Sequence, residues 1–264
     1  MRPQYAPVFA DIRNGILSWQ LWGRLGWRDT RLRYQRTAIG PFWATLSLGI
    51  FVVIMGVLWS HLWKMDVKVF LPFLTSGMIV WLLFSTMTIE GCAVFTGSDL
   101  LLKQLRVSYT MLACSAVCRN LIVFGHNLII YVLVFIYVGL PLTWSMLLIF
   151  PGLLLLCLNG IWISLVLGLI CARYRDIQQL TQSLLQIAMF LTPIFWAPSQ
   201  LQGRLHVLAD YNLFYHYVQI VRAPLMGQAP ALWSWGVVCG ATVVGWTITV
   251  LLHGHFRRRI TYWL

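Results

Sequence analysis

The chain has 264 residues, of which 59% are hydrophobic and only 10% charged, and its formal net charge is +12. Soluble domains carry about 25% charged residues, so there is too little charge here to keep a globule of this size in water. The basic residues lie between apolar runs and do not gather on one polar surface, which argues against nucleic acid and for topogenic charge facing the cytoplasm.

Residues 1–38 are polar, basic and rich in tryptophan. They contain no early cleavable apolar core, so no secretory signal is expected. Arg24, Arg28, Arg31 and Gln35 recur at helical spacing on one face, and Leu17, Leu21, Leu25 and Leu32 form an apolar stripe. Trp19, Trp22 and Trp27 suit a headgroup region. The pattern predicts an N-terminal interfacial helix. It would be either a plain anchor or a cytoplasmic surface that meets a partner or a lipid phosphate.

Six apolar runs follow, at about 42–60, 70–89, 121–140, 144–171, 180–196 and 231–252. Each is close to the ~20 residues a helix needs to span a bilayer core of ~30 Å. The fourth is long enough to tilt, and the fifth is short, with Pro193 kinking its end. The expected fold is an all-α membrane protein with six transmembrane helices. Trp43, Trp59, Trp63, Trp81, Trp144, Trp196 and Trp233 lie near the run ends, as interface anchors do.

Charge sorts across these runs. Arg2, Arg13, Arg24, Arg28, Arg31, Arg33, Arg36, Lys103, Arg106, Arg119, Arg173, Arg175, Arg257, Arg258 and Arg259 fall on one side, and only Lys64, Lys68, Arg204 and Arg222 on the other. The positive-inside rule then places both termini in the cytoplasm, with an even number of spans. Residues 256–264 read as a basic cytoplasmic tail.

Two connections stand out. In residues 91–119, Ser98 and Asp99 offer a helix cap, and residues 100–106 offer two turns of amphipathic helix, a natural docking knob. Residues 197–230 carry Pro198, Gly203, Pro224, Gly227 and Pro230 around a segment rich in Tyr, Phe and Leu. That segment is too apolar for a free loop and too interrupted for a span, so it reads as a re-entrant hairpin at the outer interface, buried against protein.

The chain holds no phosphate-binding G-x-x-x-x-G-K-[ST] loop, no H-E-x-x-H and no G-x-S-x-G. No cofactor or metal is therefore expected. Cys114 and Cys118 could share a helix face, but without a nearby histidine they read as packing residues. None of the seven carboxylates lies deep in a run, which argues against a proton-driven carrier. His126, Asn127, Asn159, Gln182 and Gln186 are polar within the runs. Each reads singly as an interhelical hydrogen-bonding group, and together they could form a seam for a hydrophilic passenger.

Three motifs then fall in order: Trp27-Arg28-Asp29, Arg33-Tyr34 and Gly40-Pro41-Phe42-Trp43 before the first run; Tyr174-Arg175-Asp176-Ile177 with Thr192-Pro193-Ile194-Phe195-Trp196 around the fifth; and Arg222-Ala223-Pro224-Leu225-Met226-Gly227 before the last. In this the chain resembles, over roughly residues 20–255, the membrane subunit of type-2 ABC exporters of the branch that moves lipid-linked polysaccharides such as O-antigen or capsule. It departs from the family where Ser98 stands for an Asn, where no Pro occurs in residues 106–110, and where Leu213 follows Asn212.

The resemblance implies a permease without enzymatic activity in the bacterial inner membrane, with an ABC-type domain over residues 39–255. Its implied partners are a second copy of itself, a separate ATP-hydrolysing subunit, membrane lipids and a polyprenyl-pyrophosphate-linked glycan. It further implies that Arg28, Arg31, Arg33 and Arg36 attract the pyrophosphate. Ser98, Asp99, Lys103 and Arg106 would couple to the ATPase, and Pro193, Trp196, Asn212 and Arg222 would belong to an outer gate. The alternatives are an intramembrane glycosyl or polyprenyl transferase, whose acidic residues would be Asp29, Asp99 and Asp176, and an ion-coupled carrier.

Overall fold

A computed structural model describes residues 5–35, 40, 42–62, 64–105, 107–198 and 207–264, apart from the side chains of residues 207, 208 and 258. Among the described residues every regular element is helical. Helix α1 (Ala6–Leu17) begins with Pro7 in its first turn, where the missing N–H costs nothing. It breaks from α2 (Trp19–Tyr34) at Ser18, whose hydroxyl donates back to the Asn14 carbonyl (2.6 Å). Then come α3 (Phe42–Leu62) and α4 (Val67–Cys92), the latter capped by Asp66 accepting the Lys68 N–H (2.9 Å). A 3₁₀ turn (Thr96–Ser98) leads into α5 (Asp99–Gln104).

Helix α6 (Tyr109–Val138) starts at a Ser108 cap and stops at Gly139, whose φ of 73° is the left-handed conformation that ends helices. A 3₁₀ turn (Trp144–Leu148) opens α7 (Ile149–Arg173), followed by α8 (Ile177–Leu191), α9 (Val207–Asp210), α10 (Leu213–Leu225) and α11 (Leu232–Trp263).

Five of these helical stretches, Phe42–Leu62, Val67–Cys92, Tyr109–Val138, Trp144–Arg173 and Leu232–Arg257, are long and apolar enough to cross a membrane. The chain is a multi-pass membrane protein. Helix α4 is its axis: α3, α6, α7, α8 and α10 all pack on it, and α11 closes over α7 and α10. Being apolar all round, α4 is buried nearly all round. Helices α4 and α7 touch at Gly91, where a Cβ would lie 2.8 Å from the Ser164 Cα. Such close backbone approach is how membrane helices gain packing contacts without a hydrophobic drive.

Three extents differ from the sequence reading. The expected span at 121–140 is a helix that begins twelve residues earlier, because Arg119 and Asn120 find carboxylate partners and need no loop. The expected span at 180–196 is only the fifteen residues of α8, about 22 Å at 1.5 Å per residue, and so is not among the five. Thr192 is extended (ψ 136°), as the residue before a proline must be. The residues read as a basic tail continue α11. Trp81, read as an interface anchor, is buried against Phe84 and Phe214. Trp63 lies outside the described residues.

Candidate functional site

The arm does not lie free of the bundle. Helices α1 and α2 both pack on α6, and α1 also reaches α11. A Cβ at Gly26 would sit 3.1 Å from the Ser115 carbonyl oxygen, so α2 presses backbone to backbone on α6. Asp11 reaches the open start of α6. Its carboxylate accepts from the Tyr109 N–H (3.2 Å), the Thr110 N–H (3.1 Å) and the Thr110 hydroxyl (2.9 Å), and from Arg257 Nη2 (2.9 Å). A carboxylate at a helix N-terminus satisfies orphan N–H groups and the positive end of the dipole together. Arg257 also donates to the Pro7 carbonyl (2.5 Å), which fastens the end of α11 to α1.

A second ionic cluster sits where α4 ends. Glu90 accepts from Arg33 Nη2 (2.6 Å) of α2 through one oxygen. Through the other it accepts from Arg119 Nε (2.9 Å) and Nη2 (2.8 Å) and from Asn120 Nδ2 (2.7 Å), all of α6. Arg119 donates its remaining arm to Asp29 (3.1 Å), which Arg28 also approaches (3.4 Å). Of the four arginines expected to meet a phosphate, Arg33 is thus engaged by Glu90, Arg28 and Arg31 are exposed on α2, and Arg36 lies outside the described residues.

Just beyond, α5 is a short helix, as expected between the second and third runs. Ser98 holds the cap position but its side chain makes no cap bond; Asp99 accepts the Leu100 N–H (2.6 Å) in its place and pairs with Lys103 (3.6 Å). Arg106 lies outside the described residues. Leu102 is buried, while Leu100 (68% exposed) and Leu105 (58%) project outward.

At the opposite end of α4, two of the residues expected at an outer gate, Arg222 and Pro193, are bonded to each other. Arg222, only 2% exposed, donates through Nη1 to the Pro193 carbonyl (2.5 Å) and through Nη2 to Gln219 (2.8 Å), and lies over the Phe73 ring at 4.3 Å. Guanidinium does not deprotonate in proteins, and among the described residues this buried charge is held by dipoles and a π face. Asn212 caps α10 by accepting the Phe214 N–H (2.9 Å), and its amide donates to the Leu191 carbonyl (3.2 Å) at the end of α8. Trp196 donates to the Phe190 carbonyl (3.2 Å), beside Phe195 stacked on Trp59 and Phe190.

The polar residues within the runs divide. Asn127 accepts from Thr45 (3.2 Å), and Asn159 joins Trp162, Tyr217 and Thr242. Both tie helices together. Gln182 and Gln186 are exposed, and with Gln179 and Ser183 they form one face of α8. A second face, Leu180, Leu184, Ile187 and Leu191, is exposed and apolar, and a third, Leu185 and Ala188, is buried.

The sequence matches the ABC-2 type transporter family over residues 20–226, from the arm to the end of the α10 segment. The chain belongs to the ABC-2 type transporter family. Among curated relatives of this ABC-2 chain, the O-antigen export system permease protein RfbA of Myxococcus xanthus is 26% identical over 176 residues, covering 66% of this chain and 67% of that protein. RfbA of Klebsiella pneumoniae, of the same description, is 18% identical over 189 residues, covering 70% and 72%. The family match takes in both the Glu90 cluster and the Arg222 clasp, so both ends of α4 lie inside the shared transporter core.

Glu90, Arg119, Asn120, Asp11 and Arg257 are missed by sequence reasoning, since their partners are far off in the chain. The available signal was Glu90 itself: a carboxylate at the edge of an apolar run, facing an arginine-rich arm.

Proposed function

We propose that the chain is the membrane-spanning permease subunit of an ABC exporter that moves a polyprenyl-pyrophosphate-linked polysaccharide across the bacterial inner membrane. The observation that carries this reading is the three-faced α8. A row of three amides and a hydroxyl (Gln179, Gln182, Gln186, Ser183) exposed on a membrane helix is costly against lipid. Against a second copy of the chain it becomes the wall of a wet lane, rich in groups that hydrogen-bond sugar hydroxyls. The O-antigen export permeases among the relatives support the passenger class.

In this reading α8 with residues 192–196 completes the six crossings as the fifth in chain order, and both termini are cytoplasmic. The arm (1–38) lies at the inner interface, 39–255 form the transmembrane domain, and 256–264 end it on the inner side. Residues 197–230 are the outer re-entrant hairpin, with Pro193, Trp196, Asn212 and Arg222 setting its hinge. Helix α5, with Asp99 and Lys103, docks a separate ATP-hydrolysing subunit. The exposed Arg28 and Arg31 draw in the pyrophosphate, while Arg33 stays bonded to Glu90.

The test is reconstitution of this chain with its ATPase in liposomes carrying a lipid-linked glycan, with accessibility of the glycan to an outside glycosidase as the readout. ATP-dependent protection or exposure of the glycan is expected. Transport without ATP, or ATP hydrolysis with no glycan movement, would sink the reading.

A further inference from the structure

We propose that the arm and the knob move as one body, because each root of α5 is latched to the arm by a carboxylate: Glu90 at the α4 root and Asp11 at the α6 root. The functional consequence rests on the exporter reading above; the mechanical claim does not.

The first observation is what lies between the two parts. Helix α5 and the arm are separated by two cavities, of about 1380 Å³ and about 460 Å³, both lined by Leu25 of α2 and Leu101 of α5. Apolar packing therefore does not weld α5 to the arm directly. Stiffness between them comes from where α5 is rooted and from α11, which touches both α5 and α1.

The second observation is that both roots are held. On the α4 side, backbone bonds run without a gap from Glu90 through the turn, Ala93 N–H to the Glu90 carbonyl (3.1 Å) and Gly97 N–H to the Ala93 carbonyl (2.8 Å). Phe95 is fully buried there. A push on α5 is thus delivered to the last turn of α4, where Glu90 grips Arg33 of α2 and Arg119 of α6. On the α6 side, Asp11 of α1 holds the Tyr109 and Thr110 N–H groups five and six residues past the end of α5, and Ser108 donates to the Asp11 carbonyl (3.0 Å). One latch is given by the core to the arm and the other by the arm to the core. Together they enclose the knob.

The third observation is geometry against entropy. Charge-assisted bonds to partly buried carboxylates are short and directional. The Glu90 side chain is 17% exposed and that of Asp11 6%, so neither latch is the solvated surface pair that contributes almost nothing. Glu90 and Asp11 are accordingly positioning residues. They set where the arm sits relative to α5 and touch neither ATP nor passenger.

The experiment places spin labels on non-canonical residues at the exposed positions Trp27 of α2 and Leu100 of α5 and measures their separation by pulsed electron resonance. The full complex is measured with and without nucleotide. The parent should give one narrow distance in both states. Glu90→Gln and Asp11→Asn should each broaden it, and the double variant should broaden it most. In the transport assay the double variant should keep ATP hydrolysis within about twofold while export falls at least tenfold. A double variant as narrow as the parent overturns the inference, as does a parent distance that changes with nucleotide. Export and hydrolysis falling in parallel overturn it too, since that marks lost assembly. A parent complex with no ATP-dependent export overturns the exporter reading instead, and leaves the distance measurement to decide the latch by itself. Size-exclusion profiles and melting curves of each variant separate unlatching from unfolding.

Discussion

Arg222 of α10 reaches back 29 residues to the carbonyl of Pro193 (2.5 Å) and so ties the segment after α8 to α10. The proline ring removes one backbone donor near the end of α8, and the guanidinium supplies a donor to the carbonyl left exposed by the break. The same side chain holds Gln219 and covers Phe73, so three elements share one cation.

Arg222→Lys keeps the charge but loses the planar fork, so the Pro193 carbonyl and Gln219 cannot both be served as they are now. A lost hydrogen bond to a charged group costs about 1.5–3 kcal/mol. The variant should melt several degrees lower in detergent, and amides of residues 188–196 should exchange faster than in the parent. An unchanged melting point with unchanged exchange would show that the clasp does not hold α8.

Some of this was legible in the sequence and some was not, and the divide is locality. The runs starting near 42, 70 and 144 show because hydropathy over about 20 neighbours decides a span, whereas the run expected over 180–196 with a kink at Pro193 is a helix that ends at Leu191. The first three turns of α6 did not show. The connection up to Arg119 read as loop, and the partner that satisfies Arg119 and Asn120 within the helix is Glu90, 29 residues away from Arg119. The helical tail is the same case: Arg257 is drawn into α11 by Asp11, 246 residues distant. Arg222, Asn212 and Pro193 could be named from motif order, but that Arg222 bonds Pro193 while Asn212 bonds Leu191 and Thr192 is a property of the fold.

Asn159 sits fully buried with every polar atom used. Its oxygen accepts from Trp162 (2.8 Å) and Tyr217 (2.8 Å), and its amide donates to the Leu155 carbonyl (2.8 Å) and Thr242 (2.7 Å). Interhelical hydrogen bonds in membranes average about 0.6 kcal/mol. Asn159→Leu, which strands several partners at once, should cost about 2 kcal/mol, and Tyr217→Phe, which removes one bond, about 0.6 kcal/mol by the same scale. Unfolding in mixed micelles measures both. Equal losses for the two variants would contradict a hub at Asn159.

Two glycines should respond in opposite directions. At Gly91 a Cβ would stand 2.7 Å from Ser164 Oγ and 2.8 Å from its Cα, and the Cα belongs to backbone that cannot step aside. Gly91→Ala should push α4 from α7 and cost about 1–3 kcal/mol. At Gly23 of α2 nothing lies within 4 Å. Gly23→Ala therefore gains helix propensity of about 0.5–1 kcal/mol without a clash. Melting curves of the two variants should shift down and up respectively. A downward shift for Gly23→Ala would mean that face of α2 is covered in the membrane.

The polar face of α8 separates a transport lane from a lipid-facing accident. Gln182 and Gln186 are one turn apart and exposed, with Leu184 on the far side of the helix. If lipid covered them, Gln182→Leu with Gln186→Leu would remove two amides from hydrocarbon, so stability should rise and export should stay as it was. If a wet lane covers them, the passenger loses two hydrogen-bonding groups and the lane gains an apolar band, so the glycan is desolvated without replacement partners. The lane reading predicts export at least tenfold slower in the liposome assay, with basal ATP hydrolysis unchanged and partial recovery with Asn at both positions. Full export by the Leu pair would move these residues to the lipid side and remove the main support for a hydrophilic passenger.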